Sequence, residues 1–495
     1  MDKKKTPAPA KKIAPKATEL TATVPAENPA SAPASEPAKA ATKAAPAVRK
    51  AASAKPAAKA ASVGKTAAKA EVGKPSVTAK VATRKPRAAK GEAKAEQQAV
   101  LAEAEGPKRI LCIACVVSGR PFMKEAAKAG HKVIVLTGEK RLKDEWPRDI
   151  LEEVIAVPDI FDEKVVRKVI AYISQRRKID RIVPMGDFDV EIACMLREHM
   201  RVPGMGETTM RYFRDKLAMR MKTREDGIPV PDFVHVLNHD EVFQYMQRVP
   251  APWVIKPRQE AASMGIEVLK DDQAVWKKIM ELGDKQSHYL LEKYTPGDVY
   301  HVDSVVSERD VVFASVSRYG TPMLDLNKSG GVFTTRTIDR KSADYKALVE
   351  INRQVVASLG LVRGVTHIEY IKGREDGKFY FLEAGARVGA AKIPDVAWYA
   401  TDVCLWFEWA KIETQTTYTL PKVRNGYAGG IVCLARQENP DMTSYNDPEV
   451  VWVQKKKHHA GVIVRSDDPK RVEELVNQYA ARFAQDFMAH VPLKA

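Results

Sequence analysis

The sequence predicts an α/β and α+β architecture: a doubly wound parallel α/β domain, then a two-lobed region of antiparallel sheets, all behind a disordered N-terminal tail. Three observations predict it. Basic, Pro- and Ala-rich composition ends near residue 105; strands then alternate with amphipathic helices to about residue 205; from about residue 230 short strands follow one another with turn signals between them. Alternation of strand and helix implies a parallel sheet, and successive strands imply hairpins.

The tail comes first. The chain has 495 residues and a formal net charge of +17. Residues 1–105 hold 21 Lys+Arg against 9 Asp+Glu, a net of +12, which leaves +5 for the remainder. Stretches such as KKKTPAPAKKIAPK and AKPAAKAASVGKTAAKA offer no aromatic side chains to bury, and their prolines break helices. Residues 1–105 are therefore expected to be disordered. Their composition resembles the lysine-rich tails of linker histones and of bacterial proteins like them. Such a tail attracts DNA or RNA phosphates through counterion release, without reading sequence; a solubilising extension is the other reading. No uninterrupted apolar core follows the first lysines, so a secretory signal is not expected.

From Lys108, RILCIACVV reads as a strand, FMKEAAKAG as a helix closing on glycine, KVIVLT and EEVIAV as strands, KVVRKVIAYISQR as a helix and DRIVPMG as a fourth strand. Sheets of this kind place ligands beyond the carboxyl ends of their strands, here at SGRPF (118–122) and MGDFD (185–189). Neither loop has a GxGxxG, so a nicotinamide cofactor is not indicated. Five cysteines without disulfide-like spacing suit a reducing cytoplasm, and no apolar run is long enough to span a bilayer. Cys112 and Cys115 form a C-x-x-C, but i and i+3 in one strand point to opposite faces and make a poor chelate.

A helix over roughly Thr208–Arg224 is expected next. Then VIKPRQEAASMGIEVLK (254–270) ends an apolar strand on Lys256 and enters a loop with little bulk. Small residues let backbone N–H groups approach a ligand, and a cation beside them favours an anion. In LLEKYTPG a strand reaches Glu292 and breaks at Pro296-Gly297. VTHIEYIKGREDGKFYFLEAGARVGA (365–390) has two period-2 runs flanking a turn, the pattern of a β-hairpin. Centring the turn on Asp376 places Glu369 opposite Glu383 and Ile371 opposite Phe381. Opposed carboxylates repel, and a hard divalent cation is the simplest offset; Mg²⁺ in particular is shared between protein carboxylates and substrate phosphates. Arg387 follows, placed to reach an anionic group on that metal. A phosphate clamp, an acid-bearing hinge and a carboxylate pair, in that order, describe a nucleoside triphosphate held between two sheets. Beyond residue 421, GYAGGIVCLA and GVIVRS read as strands. The closing helix opens at Asp468-Pro469, with Val472, Leu475, Val476, Tyr479, Phe483 and Phe487 on one apolar face.

These pieces together resemble the ATP-grasp superfamily of carboxylate–amine or carboxylate–thiol ligases over roughly residues 108–420. The motifs are loose singly, and their order and spacing are specific. The resemblance implies residues 106–205 as the domain preceding the ATP-grasp domain, 206–420 as the ATP-grasp domain and 421–495 as a C-terminal α+β segment. FRDKLAMRMKTREDGIPVPDF resembles the family's opening helix, so Lys216 joins Lys256 in contacting nucleotide phosphates. SMG, with Ser263 and Gly265, resembles the flexible phosphate loop. Glu292 takes the adenine amino group, and the backbone near Tyr294 its ring edge. HIEY and FLEAGAR match the metal pair Glu369 and Glu383, with Arg387 near the transferred phosphoryl group. Two positions depart. Gly385 replaces a frequent asparagine that acts as a third metal ligand. Val299 replaces a ribose-binding acid, leaving Asp298 and Asp303 as neighbours, of which Asp303 is the candidate. The resemblance implies ATP and Mg²⁺ (with Mn²⁺ as a substitute), transfer of the γ-phosphoryl group to a small-molecule carboxylate, and attack by an amine. The loop NKSGGVFTTRT (327–337), with Arg336, is expected to close over the intermediate. Two alternatives stand beside this: a biotin-carboxylase-like enzyme using bicarbonate, and a nucleic-acid-associated ATP-binding protein acting through its tail. The sequence specifies neither the acid, the amine nor the oligomeric state.

Overall fold

The computed structural model describes residues 106–321 and 331–489. The basic tail and the first part of the 327–337 loop lie outside the described residues. β1 (Arg109–Ile113), β2 (Lys132–Gly138), β3 (Glu153–Val157) and β4 (Arg181–Pro184) form a parallel sheet in the order β3-β2-β1-β4. Alternation along β1 gives the sheet two buried faces. Ile110 and Cys112 pack with Phe122 and Met123 of the helix Arg120–Lys128 and with Leu405 and Trp409 of the helix Leu405–Thr414. Leu111 and Ile113 pack with the helices Glu163–Ser174 and Asp189–Met200. Helices on both faces are what near-continuous apolar strands require. β1 is shorter than RILCIACVV suggests. Cys115 lies past its end, where its N–H donates to Asp189 Oδ1 at 2.8 Å, and all five thiols are free.

The helix expected over Thr208–Arg224 is interrupted. A short helix Glu207–Met210 and a 3₁₀ turn Arg211–Phe213 precede a separate helix, Lys216–Glu225. Asp215 accounts for the break: its carboxylate accepts the Leu217 N–H at 3.0 Å and the Ala218 N–H at 3.4 Å, which satisfies a new helix start.

β5 (Phe233–His235), β6 (Trp253–Pro257), β7 (Glu267–Leu269) and β8 (Tyr289–Lys293) form a small antiparallel sheet in the order β5-β8-β6-β7. Trp253 and Ile255 pack against the helices His239–Arg248 and Asp272–Leu282. Val254 and Lys256 therefore point the other way, into a cleft.

The third sheet has eight strands: β9 (Gly297–Ser307), β10 (Asp310–Tyr319), β11 (Phe333–Thr337), β12 (Gly364–Gly373), β13 (Phe379–Gly385), β14 (Tyr427–Leu434), β15 (Val450–Val453) and β16 (His459–Ser466). Its order is β13-β12-β9-β10-β11-β14-β16-β15, so the strands after residue 421 extend the same sheet. Tyr300, Val302, Ile368 and Tyr370 pack on the helix Ala343–Leu359. The alternate residues, Val299, Glu369 and Ile371 among them, face the cleft. The closing helix Pro469–Asp486 is capped by Asp468 and buries Val472, Leu475, Val476, Tyr479 and Phe483, with Phe487 buried just beyond it.

The β12–β13 hairpin pairs Glu369 with Glu383, as the turn position predicts, but Ile371 lies opposite Tyr380 rather than Phe381. The register shifts by one between these pairs. Leu382 is the extra residue, and its carbonyl accepts from Arg220 Nη1, a demand the flat ladder would not meet.

Candidate active site

A cleft of about 930 Å³ lies between the small sheet and the large one, lined by Lys216, Lys256, Ser263, Glu292, Tyr294, Val299, Glu369 and Glu383. Six of the eleven residues expected at a site reach it through four different elements and two loops or turns; Lys216, the seventh, opens its helix just after the Asp215 cap. Its Nζ lies 2.9 Å from Glu383 Oε2 and donates to the Glu260 carbonyl at 2.6 Å. The turn after β6 holds Ala262, Ser263 and Gly265 at φ of 53°, 56° and 68°. A left-handed run is unusual outside glycine and keeps this turn tight. Ser263 lines the cleft; Gly265 shapes the turn beside Pro257 and does not.

Lys256 and Glu292 are both buried and form an ion pair, and Arg220 Nη2 lies 3.2 Å from the other Glu292 oxygen. Burial pushes the Lys256 ammonium down to about 8, with the Glu292 charge holding against it. Burial would raise the Glu292 carboxyl, but Lys256 and Arg220 hold it below its usual range. Glu292 is thus first the counter-ion of two cations, which alters its expected role as a free acceptor. The Tyr294 N–H, expected at a ring edge, is taken by the Pro252 carbonyl at 3.1 Å.

On the opposite wall, Glu369 Oε1 accepts from Tyr319 OH at 2.7 Å and lies 3.5 Å from His367 Nε2. Burial would raise the Glu369 carboxyl, but His367 and Tyr319 lower it. Burial would lower His367, yet the charge and hydrogen bond of Asp303 raise it to about 9. The repulsion between Glu369 and Glu383 is therefore offset here by Lys216 on one side and by His367 and Tyr319 on the other. Two carboxylates of one hairpin, facing one cleft, are a hard oxygen donor set that fits Mg²⁺ or Mn²⁺.

Arg387 Nη2 pairs with Asp187 at 3.0 Å, in the loop after β4, and Arg214 lies 3.6 Å from the same carboxylate. Burial would raise Asp187, but Arg387 and Arg214 lower it; Asp187 and Glu383 in turn raise Arg387 against its burial. A side chain at Gly385 would press on Arg387, whose Nε is 3.3 Å from where its Cβ would lie, so this position serves the arginine instead of a third ligand.

Like Gly265, Arg387 does not line the cleft, and two further expected site residues lie elsewhere. Asp303 is buried between His301 and His367, accepting from their Nδ1 atoms at 2.6 and 2.8 Å, and does not line the cleft. Nearer the hinge, Asp298 pairs with Arg318 at 2.9 Å. Arg336 belongs to β11, not to a loop. Its neighbour Thr335 faces His301, so strand alternation sends Arg336 to the other side, where it pairs with Glu473 of the closing helix. Sequence reasoning passed over Arg220, His367 and Tyr319. Arg220 is one helical turn from Lys216, and His367 is two residues before Glu369 on a strand, so both spacings placed them beside named residues. Tyr319 had no such signal.

Residues 249–395 match the family described as ATP-grasp domain. A curated relative, the L-arginine-specific L-amino acid ligase of Bacillus subtilis, is 23% identical over 262 residues, 52% of this chain. That stretch spans 62% of the relative's length. The crystal structure of L-amino acid ligase from Bacillus licheniformis superposes with a TM-score of 0.60 at 16% identity, covering 77% of this chain and 98% of that one. N5-carboxyaminoimidazole synthetase from Staphylococcus aureus, complexed with ADP, gives 0.58 at 15% identity, covering 76% and 98%. The chain has the ATP-grasp fold, and residues 249–395 carry its ATP-grasp domain.

Proposed function

We propose that the protein is an ATP- and Mg²⁺-dependent ligase that activates a small-molecule carboxylate as an acyl-phosphate and joins it to an amine, releasing ADP and phosphate. One observation carries the reading: Lys256 of the small sheet, Lys216 of a helix start and two opposed glutamates of the large sheet line a single cleft. The L-amino acid ligases and the ADP-bound synthetase among similar proteins support the same class of substrates.

Phosphoryl transfer needs positioning and charge neutralisation more than a covalent nucleophile. Lys256, dry and held by Glu292, presents its ammonium to nucleotide phosphates from the small-sheet side, and Ser263 stands at the mouth of the phosphate turn. Lys216 reaches the same phosphates from the helix start. Mg²⁺, when held by Glu369 and Glu383, supplies further neutralisation of the triphosphate. Arg387, buried and charged, orients the anionic group receiving the phosphoryl. Asp187, its present partner, hands it over when a substrate carboxylate arrives. The carboxylate oxygen attacks the γ-phosphorus as the bond to the ADP oxygen breaks. The amine then attacks the acyl carbon, phosphate leaves, and the nitrogen gives up its proton.

The test is turnover. Offered ATP, Mg²⁺ and a panel of carboxylic acids against amines, the protein is expected to release ADP and phosphate with one acid–amine pair. Glu383→Ala is expected to reduce that release by at least roughly 100-fold, the scale on which electrostatic contacts act in such sites. Full turnover in that variant would remove the site assignment. For residues 1–105 we propose non-specific binding to nucleic acid, supported by their surplus of cations.

A further inference from the structure

The cleft face of the large sheet continues past Glu369 into buried polar side chains that the proposed chemistry does not use. His301, Asp303 and Thr335 are each 1% exposed and His367 is 6% exposed. Thr335 Oγ1 lies 2.7 Å from His301 Nε2, His301 Nδ1 2.6 Å from Asp303 Oδ2, and His367 Nδ1 2.8 Å from Asp303 Oδ1. A carboxylate only accepts, so both Nδ1 atoms carry protons and donate to Asp303. The other edge of the His367 ring then faces Glu369 and Tyr319, at 3.5 and 3.4 Å, and Tyr319 OH donates to Glu369 at 2.7 Å. The chain of contacts runs unbroken from β11 across β9 to the carboxylate on β12.

An acid and two imidazoles are an expensive way to fill a sheet. Apolar side chains of similar volume are usually as stable or more so, whereas a fully satisfied polar network fixes one geometry. The three ligand-type residues lie close enough to hold a metal ion of their own. Against that, each Asp303 oxygen takes an imidazole N–H at hydrogen-bond length, which leaves no nitrogen lone pair on the Asp303 side for a cation.

We propose that Asp303 is a positioning residue: through His367, with Tyr319 alongside, it fixes the rotamer of Glu369 so that this carboxylate and Glu383 present their oxygens to one divalent cation. The inference rests on the metal reading of the glutamate pair given above. Partners that orient metal ligands typically contribute roughly 10–100-fold to affinity.

The test uses the full chain, with Mn²⁺ uptake in the presence of ADP read from the electron paramagnetic resonance spectrum. Separately, ADP binding without divalent cation and thermal unfolding are followed. Asp303→Asn and Tyr319→Phe are each expected to weaken Mn²⁺ uptake roughly 10–100-fold and to broaden the bound-ion spectrum, and Asp303→Asn, away from the cleft lining, to leave metal-free ADP binding unchanged. Tyr319→Phe keeps the ring packed between His301 and Phe333 and removes only the hydroxyl, so it reports even where Asp303→Asn does not fold. Wild-type uptake matched by both variants overturns the inference and leaves the parent reading standing. No uptake by the wild type overturns both. Stoichiometric Zn²⁺ held by the wild type and lost in His301→Ala also overturns it, because the cluster is then a metal centre.

Discussion

Asp189 shows how much a single buried charge can matter away from the cleft. It begins the helix after β4 and is 1% exposed. Burial raises its carboxyl from 3.8 to about 6, the Cys115 N–H partly opposing the shift. Between those values the folded protein holds a proton that the unfolded chain has lost. Stability therefore falls as pH rises from about 4 to 6 and is flat above. Asp189→Asn is expected to remove this slope, so that denaturant titrations at pH 4, 5 and 6 show the variant gaining on the wild type by about 2 kcal/mol from the first to the last. A constant difference across that range would refute it. Among the cleft residues, Lys256, Glu369 and Glu383 were legible because each ends or pairs a strongly patterned element, whereas Lys216, inside an unbroken helical pattern, came only from the family resemblance. Asp303 and Arg336 were not, since only pairing with β12 and β14 decides what their faces meet.

At the scale of elements, the hinge before β9 has little tolerance. A Cβ on Gly297 would run into the carbonyl oxygen of Lys372, a backbone atom of the paired strand. Gly297→Ala is expected to cost roughly 1–3 kcal/mol in chemical unfolding, as overpacking does. Gly138→Ala, where a Cβ has open space, serves as its control and is expected to shift by less than about 0.5 kcal/mol. A Gly297 variant as stable as that control would contradict the close packing. The hairpin's glutamate pairing was readable from the turn alone, but the bulge at Leu382 was not, because its cause is Arg220 on a distant helix. The helix break at Asp215 was masked by an unbroken helical pattern across it.

Across the whole molecule, the doubly wound sheet and the antiparallel lobes followed from local periodicity. The eight-stranded extent of the large sheet did not, since β11 meets β14 some ninety residues later with no local signature. The parallel sheet and the large one meet at Asp187 and Arg387, two hundred residues apart. Among the described residues no helix is long and apolar enough to cross a membrane. The tail's cations belong to this scale as well. The full chain is expected to bind duplex DNA without sequence preference, its affinity falling roughly 1,000-fold or more from 50 to 200 mM salt. A truncated chain beginning at residue 106 is expected to lose that binding, and equal retention by both would remove the nucleic-acid role.

The ammonium of Lys216 touches both the Glu260 carbonyl in the turn after β6 and the Glu383 carboxylate on β13. One side chain thus ties the turn of the small sheet to the edge strand of the large one. If Glu383 takes a divalent cation as proposed above, the same exchange cuts the tie between that turn and β13, while the bond to the Glu260 carbonyl stays.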